Sequence, residues 1–125
     1  MKKKKNINWY DILVTDEVIS KNEIIEEVWF LWSDLIKASV DLGNNRIAIW
    51  WELYVDEEEV LLEEWANQSN VWWINLYLNK DKNDWIEFDS MINLRPKDNN
   101  FSRGVDNPEI QEKIKNLVYR LIKDE

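Results

Sequence analysis

Two adjacent tryptophan pairs, Trp50-Trp51 and Trp72-Trp73, each lie inside a run rich in Ile, Leu, Val and Tyr. Such runs favour extended backbone, in which successive side chains point to opposite faces of a sheet. One indole of each pair can enter the core, and its neighbour must emerge on the other side. The chain is therefore expected to build a β-sheet with two distinct faces.

The totals suit that expectation. A length of 125 residues fits one domain with one core, and 45% hydrophobic residues are enough to fill it. Only two glycines and two prolines are present, which favours regular elements over a loop-rich fold. With no cysteine and no apolar run near the length of a bilayer span, the reading is a cytoplasmic protein without disulfides. Lys2–Lys5 precede a polar stretch instead of a signal core, so residues 1–8 read as a basic mobile tail and 9–125 as a single α+β domain.

The net charge is -9. Four of the 16 basic residues are in the tail, so 12 face 25 acidic residues in the body. Between Arg46 and Lys80 no basic residue occurs, while Glu52, Asp56, Glu57, Glu58, Glu59, Glu63 and Glu64 are all acidic. Such a field disfavours nucleic acid and anionic membranes and attracts a basic partner.

Helical spacing of Ile24, Ile25, Val28, Trp32, Leu35 and Ile36 predicts a helix over about 22–40. Ser20 or Asn22 would cap it, and Gly43 with Asn44-Asn45 would end it. Trp9–Thr15, Arg46–Val55, Val71–Asn79 and Trp85–Leu94 read as strands, the last two as a hairpin across Lys80–Asp84. The segment 56–70 fits either a short helix or a strand and turn. Asn107 and Pro108 open a second helix over about 107–123 with the stripe Ile110, Ile114, Leu117, Val118, Leu121 and Ile122. The expected fold is α+β: an antiparallel sheet of three to five strands with both amphipathic helices packed on one face.

Sorting by parity, Ile47, Ile49, Trp51, Leu53, Val55, Trp72, Ile74, Leu76, Leu78, Ile86, Phe88, Ile92 and Leu94 make an apolar core face. The opposite face holds Trp50, Glu52, Tyr54, Val71, Trp73, Asn75, Tyr77, Trp85, Glu87, Asp89, Met91 and Asn93. Unpaired buried carboxylates are costly, so this mixed face is expected to be open, with its aromatics as anchors. Cover by the chain's own segment and homodimerisation are the competing readings.

No histidine, no cysteine and no phosphate-cradling glycine loop is available, which removes the usual general base, zinc ligands and nucleophile pairs. No catalytic residue, metal or cofactor is assigned. The leading expectation is an acidic binding protein that neutralises a basic toxin or nuclease, as an immunity protein or inhibitor. Its partner-binding residues would be Trp50, Glu52, Tyr54, Trp73, Tyr77, Trp85, Glu87 and Asp89, with Asp56, Glu57, Glu58 and Glu59 steering association. The alternative is a carbohydrate-binding or carboxylate-based hydrolytic domain on the same face. Arg95, Lys97 and Arg103 also gather around a late polar loop with Phe101, a second candidate for an anion or partner site.

Overall fold

Period-two alternation organises the strands of the main sheet. The structure, a computed structural model, describes residues 3–7, 10–28, 35–50 and 70–124, with side chains over 13–26, 35–49, 70–91 and 93–124. Strands β1 (Lys3–Ile7), β2 (Tyr10–Thr15), β4 (Ile36–Asp41), β5 (Arg46–Trp50), β6 (Val71–Leu76) and β7 (Ile86–Glu87) form one six-stranded sheet in the order β1-β2-β5-β4-β6-β7. Every neighbouring pair in it is antiparallel. A second, parallel pair joins β3 (Ile19–Ser20) to β8 (Ile122–Lys123). Among the described residues the α-helices are α1 (Lys21–Val28) and α2 (Pro108–Leu121).

Three expectations need correction. The helix expected over 22–40 stops early: α1 covers Lys21–Val28, and Ile36–Asp41 is a central strand. In that strand Ile36, Ala38 and Val40 alternate with Lys37, Ser39 and Asp41, and two-residue alternation prevails over the helical stripe. Gly43-Asn44-Asn45, read as a helix stop, forms the hairpin turn between Asp41 and its partner Arg46. The buried Asp41 carboxylate holds that turn by accepting from Gly43 N–H, Asn44 N–H, Asn44 Nδ2 and Arg46 Nε at 2.8–3.2 Å. Among the described residues only α2 is a long amphipathic helix, so the expected pair of such helices on one face reduces to one. Second, the basic run read as a tail is paired: β1 lies antiparallel to β2 at the sheet edge, a position where lysines deter further strand pairing. Third, the strand expected over Trp85–Leu94 pairs only through Ile86–Glu87 before the chain leaves the ladder.

Helix ends follow the sequence more closely. The Ser20 hydroxyl accepts from Glu23 N–H at 3.1 Å and caps α1. The Asn107 side chain accepts from Glu109 N–H at 2.9 Å and Pro108 begins α2. Ile114, Leu117, Val118 and Leu121 are the buried stripe of α2. Just beyond it β8 ties the chain end to β3, and Lys21 pairs with Asp124 at 2.7 Å.

Register places Ile36, Ala38, Val40, Ile47, Ile49, Trp72, Ile74 and Leu76 on one face, and all are buried in a single cluster with residues of both helices. This is the core face that parity predicts, except that Leu94 is exposed, while Trp51, Leu53, Val55 and the Ile92 side chain lie outside the described residues. The other face differs from its expectation. Ser39, Asp41, Ala48, Val71, Trp73 and Asn75 sit on it and are buried too. Both sides of the central strands are interior, and mixed composition does not make this face open.

Candidate functional site

The acidic half of the predicted face survives as a cluster at the edge strand β7. Asn75, on β6, lies opposite Glu87 in the ladder. Its Nδ2 donates to Glu87 Oε1 at 2.8 Å and to the Asp89 carbonyl at 3.1 Å. Tyr77 O–H donates to the same Glu87 Oε1 at 3.1 Å. Asp89 Oδ1 accepts from Arg103 Nε at 2.6 Å, and the Lys80 ammonium lies 4.5 Å from the centre of the Tyr77 ring. Asn75 is itself buried, and its Oδ1 meets no donor among the described residues. A buried amide thus orients an exposed carboxylate, while charge-assisted contacts of the kind a cationic partner would make already surround it.

Loss of surrounding water, the bond to Glu87, and the charges of Glu87 and Asp89 together raise the Tyr77 phenol above its ordinary pKa. The protonated phenol is the form that donates to Glu87. A raised value for an acid means that ionisation opposes the folded arrangement, so the Tyr77–Glu87 bond persists up to and beyond the normal tyrosine range and is lost as pH climbs through the raised value. Difference spectrophotometric titration against Tyr77→Phe isolates this group. Glu87→Gln is expected to move its ionisation down toward the ordinary value, and an unchanged curve would disprove the contact.

Two of the predicted anchors are corrected. Trp73 is 2% exposed and Trp85 is 0% exposed, so neither can offer an indole to a partner. Trp73 lies on a central strand of a sheet buried on both faces. Trp85 follows the 3-10 turn Lys82–Asp84 with helical φ and ψ of -67° and -38°, so strand alternation does not reach it. Its ring turns into the core, 6.3 Å from that of Tyr119 on α2, and its Nε1 donates to the Lys80 carbonyl at 2.9 Å. Tyr77, Glu87 and Asp89 are brought together. Trp50 is described only as a backbone position in β5. Glu52, Tyr54, Asp56, Glu57, Glu58 and Glu59 lie outside the described residues, as does the choice between helix and strand over 56–69.

Sequence reasoning did not identify Asn75 as the organiser of the cluster or Arg103 as the ion-pair partner of Asp89. It read the late polar loop around Arg95, Lys97, Phe101 and Arg103 but not the buried amides that fasten it. There Asn93, 0% exposed, uses its carboxamide as a substitute strand residue. Its Oδ1 accepts from Trp73 N–H at 2.9 Å and its Nδ2 donates to Trp73 O at 2.8 Å, the two groups that a continued β7 would have paired. Asn100 donates to the carbonyls of Asn93, Ser102 and Gly104 and accepts from Asp106 N–H. The density of asparagine beside Arg95-Pro96 was the available signal, since amides serve loops that must satisfy buried backbone.

Among the described residues no group of three or more acidic side chains has the arrangement of a metal site, and no helix is long and apolar enough to cross a membrane. No curated protein and no solved structure matches the chain. A family model described as a protein of unknown function, DUF5674, matches residues 13–121 and so takes in both the acidic cluster and the asparagine-bound loop. That match spans well over half of the chain, which therefore belongs to DUF5674.

Proposed function

We propose that this chain is a small acidic binding protein that captures a basic protein, of toxin or nuclease type, in the cytoplasm, and that it performs no catalysis. The supporting observation is the Asn75–Tyr77–Glu87–Asp89 cluster, in which the exposed Glu87 carboxylate is pre-oriented beside an Asp89 paired with Arg103, on a chain of net charge -9. Orientation of Glu87 by two donors lowers the ordering cost of engaging a lysine or arginine. The remaining negative field would accelerate encounter. Binding no longer relies on Trp73 or Trp85. The carbohydrate reading is weakened more, because stacking on sugar needs those rings exposed.

Calorimetry with polylysine and with a basic nuclease domain tests the proposal. Both are expected to bind at low salt, and their affinity should fall as added salt shortens the screening length. The double substitution Glu87→Gln/Asp89→Asn should weaken binding by about 10-fold, corresponding to roughly 1.4 kcal/mol. No binding by either probe, or binding indifferent to the double substitution, would exclude this site.

A further inference from the structure

Among the described residues four large apolar side chains are exposed, and three of them, Met91 (68%), Leu94 (46%) and Phe101 (67%), lie in the loop after β7. Backbone geometry places them side by side. Arg95 N–H donates to Asn100 O at 2.9 Å and Asn100 N–H to Arg95 O at 3.1 Å, an antiparallel bridge in which one pair exchanges both bonds. The bridge is isolated, and by alternation the positions flanking it, Leu94 and Phe101, fall on the face opposite to Arg95 and Asn100. The inner face agrees with this: the Arg95 guanidinium lies 4.2 Å from the centre of the Trp72 ring, and Asn100 is buried. Met91 stands three residues before Leu94, whose N–H closes the 3-10 turn on Met91 O at 3.1 Å. Residues three apart in such a turn eclipse one another. The backbone thus groups Met91, Leu94 and Phe101 as one exposed apolar strip of the loop.

The strip is held in place although it is exposed. Asn93 fastens the turn beneath it to Trp73, and Asn100 fastens the returning chain to Asn93, Ser102 and Gly104. Acidic groups border it, with Lys97 exposed on the same loop and Arg103 already paired to Asp89. Asp89, two residues before Met91, continues the Glu87 cluster. Asp106 accepts from Phe101 N–H and from the Ser102 hydroxyl, and those bonds hold its carboxyl below the ordinary value and ionised.

We propose that Met91, Leu94 and Phe101 are the apolar anchor of the docking surface, and that they receive an amphipathic, basic segment of the partner whose apolar side chains cover the strip while its lysines or arginines reach Asp106 and the Glu87–Asp89 cluster. This rests on the acidic-binder reading and supplies the exposed anchors that Trp73 and Trp85 cannot. Clustered apolar side chains on a rigid loop mark interaction sites, and a pre-ordered surface loses little entropy on binding. Charge selects the occupant. A second copy of the chain would bring another net -9 to the interface, whereas a basic segment complements it.

The probes are a helical peptide of alternating Leu and Lys blocks, the same peptide with Glu for Lys, and polylysine. Met91→Ser, Leu94→Ser and Phe101→Ser are compared with the parent by calorimetry, after an unchanged urea midpoint shows that each variant folds. The Leu–Lys peptide is expected to bind, the Leu–Glu peptide not, and Phe101→Ser or Met91→Ser to weaken the Leu–Lys peptide by about 10-fold or more. Polylysine should be affected less than 3-fold by the serine variants. If polylysine binds through Glu87 and Asp89 while the Leu–Lys peptide is indifferent to all three serine variants, the strip is not the anchor but the acidic site stands. If neither basic probe binds, the acidic-binder reading itself fails and the strip proposal falls with it. Concentration-dependent dimerisation that Phe101→Ser abolishes would assign the strip to a second copy and overturn a basic occupant.

Discussion

Asn93→Ala is expected to lower the stability of the folded chain by about 3–5 kcal/mol, among the largest effects of any single substitution. The side chain is wholly buried and makes three bonds: Oδ1 to Trp73 N–H, and Nδ2 to the carbonyls of Trp73 and Arg103 at 2.8 and 3.2 Å. Alanine removes all three and leaves two backbone groups of a central strand facing a gap too small for a strand to refill. A buried polar group without its partner costs about 1–3 kcal/mol, and the cavity adds to that. Urea denaturation is the measurement, with a midpoint fall of roughly 1–3 M. Asn83→Ala, at an exposed position in the preceding turn, is the control and should stay within about 0.5 kcal/mol of the parent. Asn93→Asp keeps the acceptor for Trp73 N–H but buries a carboxylate. Its deficit should shrink on acidification, because the carboxyl can then take up a proton and donate one bond. A loss below about 1 kcal/mol for Asn93→Ala would mean that the carboxamide does not substitute for a strand.

Trp85→Ala should cost a similar amount, about 3–5 kcal/mol, by emptying the space between the β6–β7 hairpin and α2. Trp85→Phe retains most of the apolar contact with Tyr119 but loses the indole donor to the Lys80 carbonyl, and a smaller loss of about 1–2 kcal/mol is expected. The pair of substitutions separates a core residue from a docking residue. An interior Trp85 makes stability fall while the affinity of the surviving folded fraction for a basic probe is unchanged. Unaltered stability combined with weakened binding would return Trp85 to the surface.

Much of the fold is legible before any coordinates. Alternation in Arg46–Trp50 and Val71–Leu76 assigns Ile47, Ile49, Trp72, Ile74 and Leu76 to the core face, and they are there. The start of α2 is written in Asn107-Pro108-Glu109, because capping needs only adjacent residues. Ile36–Asp41 is harder. Its residues satisfy a helical and a strand period together, and pairing with β5 and β6 on both sides decides between them. The hairpin turn Leu42–Asn45 is ambiguous for the same reason, since glycine and asparagine serve helix ends and strand turns alike.

The candidate site was half legible. Tyr77, Glu87 and Asp89 could be grouped from spacing alone, as three polar side chains of one face at the end of a strand pair. Their common organiser is Asn75, an amide that looks unremarkable in the sequence until Glu87 is seen opposite it.

What the sequence determined by itself is parity and charge: which residues share a side of each strand, and that the chain carries a surplus of carboxylates. Both are local or additive properties, readable from neighbours or by counting. What only the tertiary structure decided is depth. Trp73 and Glu87 belong to one face by parity, yet Trp73 sits on a central strand and is sealed, while Glu87 sits on an edge strand and meets solvent. Depth depends on strand order and on what packs above each strand, and those are set by contacts between residues far apart in the chain.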